Sequence, residues 1–381
     1  MTGFGPGSDV FVVGVGVHPY EFKGSTPYPR LGLTATRAAL ADAGIDWSAV
    51  QSAYVATTAL GMATGRVMFQ HLGSTGIPVI QVESASASGS AAFRLATNEV
   101  ASGRAEVALA LGVDKFGGAR RAMAQDGLLK LSPTWAVPAV MFGLIARAYL
   151  RRHDLPVEAM ARVAVKNHHN ASLNPNAQFR KERTLEDVLG SPKVVGDLTV
   201  QQCCPRGDGA AAAVVMSEAA LTRLGIDRSR AVRVTASVAT SQRGLADPEA
   251  MAVSLVHEST MLAYDQAGIG PEDLDVVELH DAFTIEELLY AEAMNLCGAG
   301  QGAEYVASGA SRIGGSCAVN PSGGLLGMGH PNGPTGLGQV AEIVTQIRGE
   351  AGARQHPGAR LGLAHMVGLG EVAFAHVLSA H

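Results

Sequence analysis

The chain has 381 residues, 47% of them hydrophobic, and a formal charge of −5 from 29 Lys+Arg against 34 Asp+Glu. That length predicts two or three domains with substantial cores, and an acidic balance with no compensating basic run excludes a nucleic-acid binder. Aromatics make up only 5% while glycines number 46, so the cores must be built from Ala, Val and Leu with closely approaching backbones.

No basic region precedes the first apolar run, VFVVGVGV (10–17), so it reads as a strand and not as a signal peptide. AALADAGIDWSAVQSAYVA (38–56) reads as a helix ending at Gly44, a short loop and an apolar strand. In VIQVESASASGSAAFRLA (79–96) a strand breaks into small residues and a helix opens at Gly89-Ser90. Strand, tight turn and helix place one side chain at a helix N-terminus, where enzymes hold nucleophiles. The residues on offer there are serines, with no activating neighbour in the sequence. EVALALGV (106–113) is a further buried strand.

Residues 117–205 read differently, with helices over Val140–Arg152 and Val157–His169 and then a polar loop, NASLNPNAQFRKERTLEDVLGSP. An insertion of this length beside an α/β core is expected to cover a substrate site. Its apolar stretch Ala136–Leu150 is broken by Pro138 and Arg147, too short to span a bilayer. The Arg120-Arg121 and Arg151-Arg152 pairs read as solvated. DGAAAAVVM (208–216) returns to a buried strand that completes the first half.

The second half repeats the plan of the first. After the strand AVRVTASVAT (231–240), MLAYDQAGIGPEDLDVVEL (261–279) follows the pattern of 38–56, its Ala-Gly-Ile lying 224 residues after the first. In VVELHDAFTIEELLYAEAMNL, His280-Asp281 stand at the carboxyl end of a strand, where open α/β sheets bind ligands. The helix beyond starts near Thr284, capped by Asp281 or Thr284. In AVNPSGGLLGMGHPNGPTGLGQVAEIVTQIRG, His330 lies in a glycine-rich loop just before a helix opened by Thr335 to Gly338. LAHMVGLGEVAF reads as strand, glycine turn, strand. Alternating strands and helices predict an α/β class with parallel-rich sheets. The four cysteines lack CxxC spacing, and adjacent Cys203 and Cys204 suit a disulfide poorly. A reduced cytoplasmic chain with no metal is therefore expected. There is neither a GxxxxGK[ST] loop nor a GxSxG elbow.

Together these stretches resemble the thiolases, above all the sterol-carrier-protein type and the archaeal acetoacetyl-CoA type. The family's nucleophile turn, VESACASGSAAF, is matched by VESASASGSAAF; its His-Asp-(Ala or Cys)-Phe motif by His280 to Phe283; its Asn-Pro-Ser-Gly-Gly and Gly-His-Pro-x-Gly motifs by Asn320 to Gly324 and Gly329 to Gly333. The insertion also resembles the family in VKNHHNASLNPNAQF and PRGDGAAAAVV. The resemblance runs from about residue 10 to 379 and implies a duplicated five-layer α/β/α/β/α core. Its division would be 1–116 plus 206–228 as the N-terminal half, 117–205 as an inserted loop domain, and 229–381 as the C-terminal half.

Carried over residue by residue, it implies that Ser86 stands at the acyl-accepting cysteine's place, that His330 is its base, and that His280 and the Gly368 N–H stabilise thioester oxygens. Met366, Phe283 and Asn320 would contact substrate. No cofactor is implied, coenzyme A thioesters being substrates. The resemblance also implies a homodimer or dimer of dimers, and in several relatives a small OB-fold accessory subunit. Ser86 departs from the family, and Ala282 and Met366 fall where subfamilies place a second, proton-carrying cysteine. An alcohol ionises far less readily than a thiol of pKa about 8.5 and needs a tightly coupled base. Three functions are therefore expected to compete: acyl transfer on a 3-oxoacyl-CoA, retro-aldol cleavage of a thioester without an acyl-enzyme, and non-catalytic binding of acyl-CoA or a partner.

Overall fold

A computed structural model describes residues 9–116, 137–243, 248–369 and 372–381. Arg120-Arg121, the start of the inserted segment and Gly370-Glu371, where the sequence leads one to expect a glycine turn, lie outside them. The first half supplies β1 (Val10–Glu21), α1 (Tyr28–Ala43), β2 (Ser52–Ala56), α2 (Thr64–Phe69), β3 (Val79–Val82), α3 (Ser88–Ala101) and β4 (Val107–Asp114). The insertion contains α4 (Val137–Arg152), α5 (Glu158–Ser172), α6 (Leu185–Leu189) and a ribbon of β5 (Lys193–Val195) with β6 (Leu198–Thr199); β7 (Asp208–Ser217) and α7 (Glu218–Leu224) follow. The second half runs β8 (Val232–Ser241), α8 (Pro248–Ala267), β9 (Val276–Glu278), α9 (Thr284–Ala293), α10 (Gly302–Ala307), β10 (Ala318–Val319), α11 (Gly324–Gly327), α12 (Asn332–Ile347), β11 (Leu361–Gly368) and β12 (Val372–Ala380).

Ten strands form one sheet in the order β10-β9-β11-β12-β8-β1-β7-β4-β2-β3. Counted inward from either edge, each half uses its third, second, fourth, fifth and first strand, so the order is a palindrome. Within the sheet, among the described residues, the halves pair where Phe11 faces Arg233 and Val12 faces Val232. The repeated helix–strand plan occupies matching places: α1 with β2 and α8 with β9 keep the 224-residue offset, and Gly44 (φ 67°) and Gly268 (φ 69°) both turn left-handed after their helices. The expectation of parallel-rich sheets needs correction. Among the described residues only the strand pairs β2–β3, β2–β4, β9–β10 and β9–β11 are parallel, while β7 and β12 return antiparallel beside β4 and β11. Crossover helices force parallel pairing, but β11 ends at Gly368 only four residues before β12 begins at Val372, a separation too short for a crossover.

Alternation along β1 builds the layers. Val10 and Val12 face a central layer in which α3 and α12 pack together, Phe93, Ala96, Leu337 and Val340 meeting strand residues of both halves. Phe11 and Val13 face outward to α1, against Leu31 and Leu40. On the far side α4, α5, α8 and α9 cover the second half through Tyr149, Met160, Val256 and Leu288. Each such fully buried side chain contributes about 1.5–3 kcal/mol. The result is the expected five-layer α/β/α/β/α core. Among the described residues the insertion adds no strand to the large sheet, which supports the three-part division we propose at 116/117, 205/206 and 228/229.

Candidate active site

The turn between β3 and α3 is held in an unusual backbone. Ala85 takes φ 48°, a left-handed conformation that costs a residue with a Cβ about 1–2 kcal/mol. Three short bonds hold it there: Ser84 N–H donates to Ser88 Oγ (2.8 Å), the Ser88 hydroxyl donates to Ala85 O (2.6 Å), and Ala85 N–H donates to Glu83 Oε1 (2.6 Å). The serines of the turn are thus divided in function, with Ser88 buried as a brace and Ser86 left half-exposed just before the α3 N-terminus. The helix end places roughly half a positive charge beside it.

His330 reaches Ser86 from 244 residues away, with 3.0 Å between Nε2 and Oγ. Its Nδ1 lies 3.0 Å from Thr335 Oγ1, and that hydroxyl donates its one hydrogen to Pro331 O at 2.6 Å. Thr335 must therefore accept from Nδ1–H, which leaves the Nε2 lone pair to accept the Ser86 hydrogen. The histidine loop is pinned on several sides. Gly333 N–H donates to Asp114 Oδ2 (2.7 Å), while Gln178 and Phe179 N–H donate to Met328 O and Gly327 O. Close approach of α3 to α12 requires glycine at the contact: a Cβ on Gly336 would lie 2.2 Å from Ser90 Oγ, and one on Gly89 2.6 Å from Gly333 O.

His280 completes the cluster, its ring centroid 5.7 Å from that of His330 and nearly perpendicular to it. Its Nδ1 is 2.9 Å from Glu286 Oε1. Glu286 is clamped by Phe283 N–H (2.8 Å) and the Tyr290 hydroxyl (3.0 Å). A carboxylate only accepts, so His280 carries hydrogen on Nδ1, and donation from Nε2 to a thioester oxygen requires the doubly protonated ring. The α9 start is capped by Glu286; Asp281 and Thr284, the expected caps, are engaged elsewhere. Asp281 accepts from Leu325 N–H (2.6 Å) and Asn167 Nδ2 (2.8 Å). Thr284 faces Gln202.

The insertion buttresses both histidine segments. Besides Asn167, α5 supplies Lys166, paired with Glu287 at 3.0 Å, and Cys204 N–H donates to Ala282 O at 2.7 Å. Burial, followed by the charge of Glu342, pushes Glu278 up to about 8, and burial followed by Glu287 raises Asp281 well above its ordinary range. Burial likewise raises the Cys203 thiol to about 12, and the Cys204 thiol well above the ordinary range. These thiols keep their hydrogens at neutral pH.

Of the remaining expected site residues, Gly368 abuts the nucleophile turn, where a Cβ would lie 2.4 Å from Ser84 O. Phe283 stacks on Phe142 of the insertion at 4.9 Å and walls the histidine segment. Asn320 and Met366, expected to contact substrate, are turned to protein. Asn320 Oδ1 accepts from Leu279 N–H (2.9 Å), its Nδ2 faces Glu287, and its φ of 53° turns the chain after β10. Met366 is fully buried with Ala87, Ala91 and Phe374 beneath the turn. Two partners escaped the reading of the sequence, Thr335 and Glu286. Glu286 had a usable signal as an acid three residues into a helix; Thr335 had none, because its role depends on which nitrogen of His330 it meets.

The structure thus brings a serine hydroxyl within 3.0 Å of an oriented imidazole nitrogen, with a second histidine beside them, an arrangement chemically able to move a proton between oxygen and nitrogen. The sequence agrees with the geometry. Residues 21–187 match the family described as "Thiolase, N-terminal domain" and residues 237–380 the one described as "Thiolase C-terminal domain-like". Human sterol carrier protein 2 is 39% identical over 383 residues, covering 95% of this chain and 70% of that protein. The acetyl-CoA acetyltransferase of Methanothermobacter thermautotrophicus is 34% identical over 383 residues, covering 97% and 99%. Among solved structures, the Ltp2-ChsH2(DUF35) aldolase is similar with a TM-score of 0.82 and 25% identity over 98% of each chain. The chain belongs to the thiolase family and is an enzyme of the thiolase type.

Proposed function

We propose that the protein performs carbon–carbon bond chemistry on a 3-oxoacyl-CoA or similar thioester, by acyl transfer through Ser86. The observation that supports this is the 3.0 Å contact between Ser86 Oγ and the lone-pair nitrogen of His330, oriented by Thr335. His330 Nε2 takes the hydroxyl proton as Oγ bonds to the 3-oxo carbon. The C2–C3 bond then breaks, its electron pair passing to the departing thioester as an enolate, which takes a proton at carbon. The acyl-serine is released to a thiol, or to a second enolate in the condensing direction. Gly368 N–H and doubly protonated His280 are the proposed donors to the oxyanions.

A second reading is direct retro-aldol cleavage, in which the base removes a 3-hydroxyl proton and no acyl-enzyme forms. Serine at the nucleophile position and the similarity to an aldolase favour it. Intact-mass measurement with acetoacetyl-CoA separates the two. Acyl transfer predicts an acetyl adduct that grows at least ~10-fold faster in Ser86→Cys, since a thiol ionises more readily beside a helix N-terminus, and that vanishes in Ser86→Ala. Cleavage of a 3-hydroxyacyl-CoA undiminished in Ser86→Ala would establish the lyase instead.

We also propose a cytoplasmic location, supported by four free cysteines that suit a reducing compartment. We further propose a homodimer or dimer of dimers, supported by the exposed edge strand β3 with Ile80 48% exposed. A small OB-fold accessory subunit is the proposed partner, supported by the similarity to a complex containing ChsH2(DUF35). Among the described residues no helix is long and apolar enough to cross a membrane.

A further inference from the structure

We infer that Glu286 is a positioning residue that makes Nε2 of His280 the second proton-carrying atom of the site. The inference rests on the carbon–carbon bond chemistry proposed above. Bond making or breaking next to a thioester needs a proton moved at carbon as well as the one moved at Ser86. Ala282 and Met366 carry none.

The two histidines have opposite partners. His330 Nδ1 meets a neutral hydroxyl whose hydrogen is already given to Pro331 O. His280 Nδ1 instead meets a buried carboxylate at 2.9 Å, and Glu286 is held by two further donors, Phe283 N–H and the Tyr290 hydroxyl. If this ring gains a proton at Nε2, the charge is balanced at once by Glu286. Such a carboxylate–histidine pair fixes the ring's tautomer and orientation while supporting its cationic form.

The step balances in both directions. For condensation, an α C–H of an acetyl-CoA-type thioester breaks, the proton bonds to Nε2, and the electron pair becomes the enolate. For cleavage, the Nε2–H bond breaks and the C–H bond forms at the enolate carbon. The ring then returns to its neutral form with Nδ1–H on Glu286.

The test uses the whole chain with acetyl-CoA in D₂O, following deuterium incorporation at the methyl group by NMR, together with ¹⁵N spectra of the His280 ring. Glu286→Gln keeps the side-chain size, but its amide can donate to Nδ1, moving the ring hydrogen to Nε2. That form still polarises a thioester carbonyl yet has no lone pair to take a proton. The expected result is exchange at least ~100-fold slower, acetyl-CoA affinity within about 3-fold, and a ring hydrogen on Nδ1 in the native protein but not in the variant. Native-like exchange in Glu286→Gln overturns the inference. So does a native His280 without hydrogen on Nδ1, a measurement that stands even if the variant does not fold. Absence of exchange in a native protein that does show Nδ1–H refutes the carbon–carbon reading and leaves the Glu286 pairing intact.

Discussion

Replacing Thr335 by valine removes one oxygen from a buried side chain while nearly preserving its shape. Thr335 is 4% exposed and its Oγ1 is 3.0 Å from His330 Nδ1. Without it, the neutral ring must either leave Nδ1–H unpaired, at about 1–3 kcal/mol, or move the hydrogen to Nε2. The second tautomer cannot accept from Ser86. If the reactive tautomer is disfavoured by that amount, kcat/KM falls roughly 5- to 150-fold, at 1.36 kcal/mol per factor of ten. The rate of acyl-adduct formation with acetoacetyl-CoA, followed by intact mass, reads this directly. Thr335→Ser keeps the hydroxyl and is expected to stay within about 3-fold of the native rate, so it separates loss of the hydrogen bond from altered packing. A folded Thr335→Val protein that acylates within about twofold of the native one would show that His330 is oriented by something else, and the tautomer argument would fail.

Asp114 accepts from Thr57 Oγ1, Thr58 N–H and hydroxyl, Ala59 N–H and Gly333 N–H, tying the first half to the His330 loop. Asp114→Asn puts an amide donor against donors, and urea unfolding should show a loss of about 2–4 kcal/mol; a loss below about 0.5 kcal/mol would mean that the loop is held without it. Glu278, raised by burial to about 8 from an ordinary 4.5, binds its proton more tightly folded than unfolded. Its contribution is therefore full below pH ~4.5 and lost as pH rises to ~8. Melting temperatures should fall across that window, and Glu278→Gln should flatten the slope; an unchanged slope in the variant would assign the pH dependence to other groups.

The clustered residues Ser86, His280 and His330 and the duplicated plan were legible in the sequence because they are written in local signals. The alternation of Val10, Phe11, Val12 and Val13 assigns each to one face of β1, and glycines after α1 and α8 mark matching helix ends 224 residues apart. Ser86, His280 and His330 each sit at a junction of strand or loop with helix, where small residues and polar breaks stand out from apolar runs. What the tertiary structure alone decided is who meets whom. The antiparallel returns of β7 and β12 depend on pairing between distant strands. The assignment of Asn320 and Met366 to protein contacts depends on what packs over them. The choice between Nδ1 and Nε2 on each histidine depends on an oxygen brought there by folding: Thr335 for one ring, Glu286 for the other. A linear pattern records a residue's type and its period. It does not record the few ångströms between Ser86 and His330 across 244 residues, and proton chemistry is set at that distance.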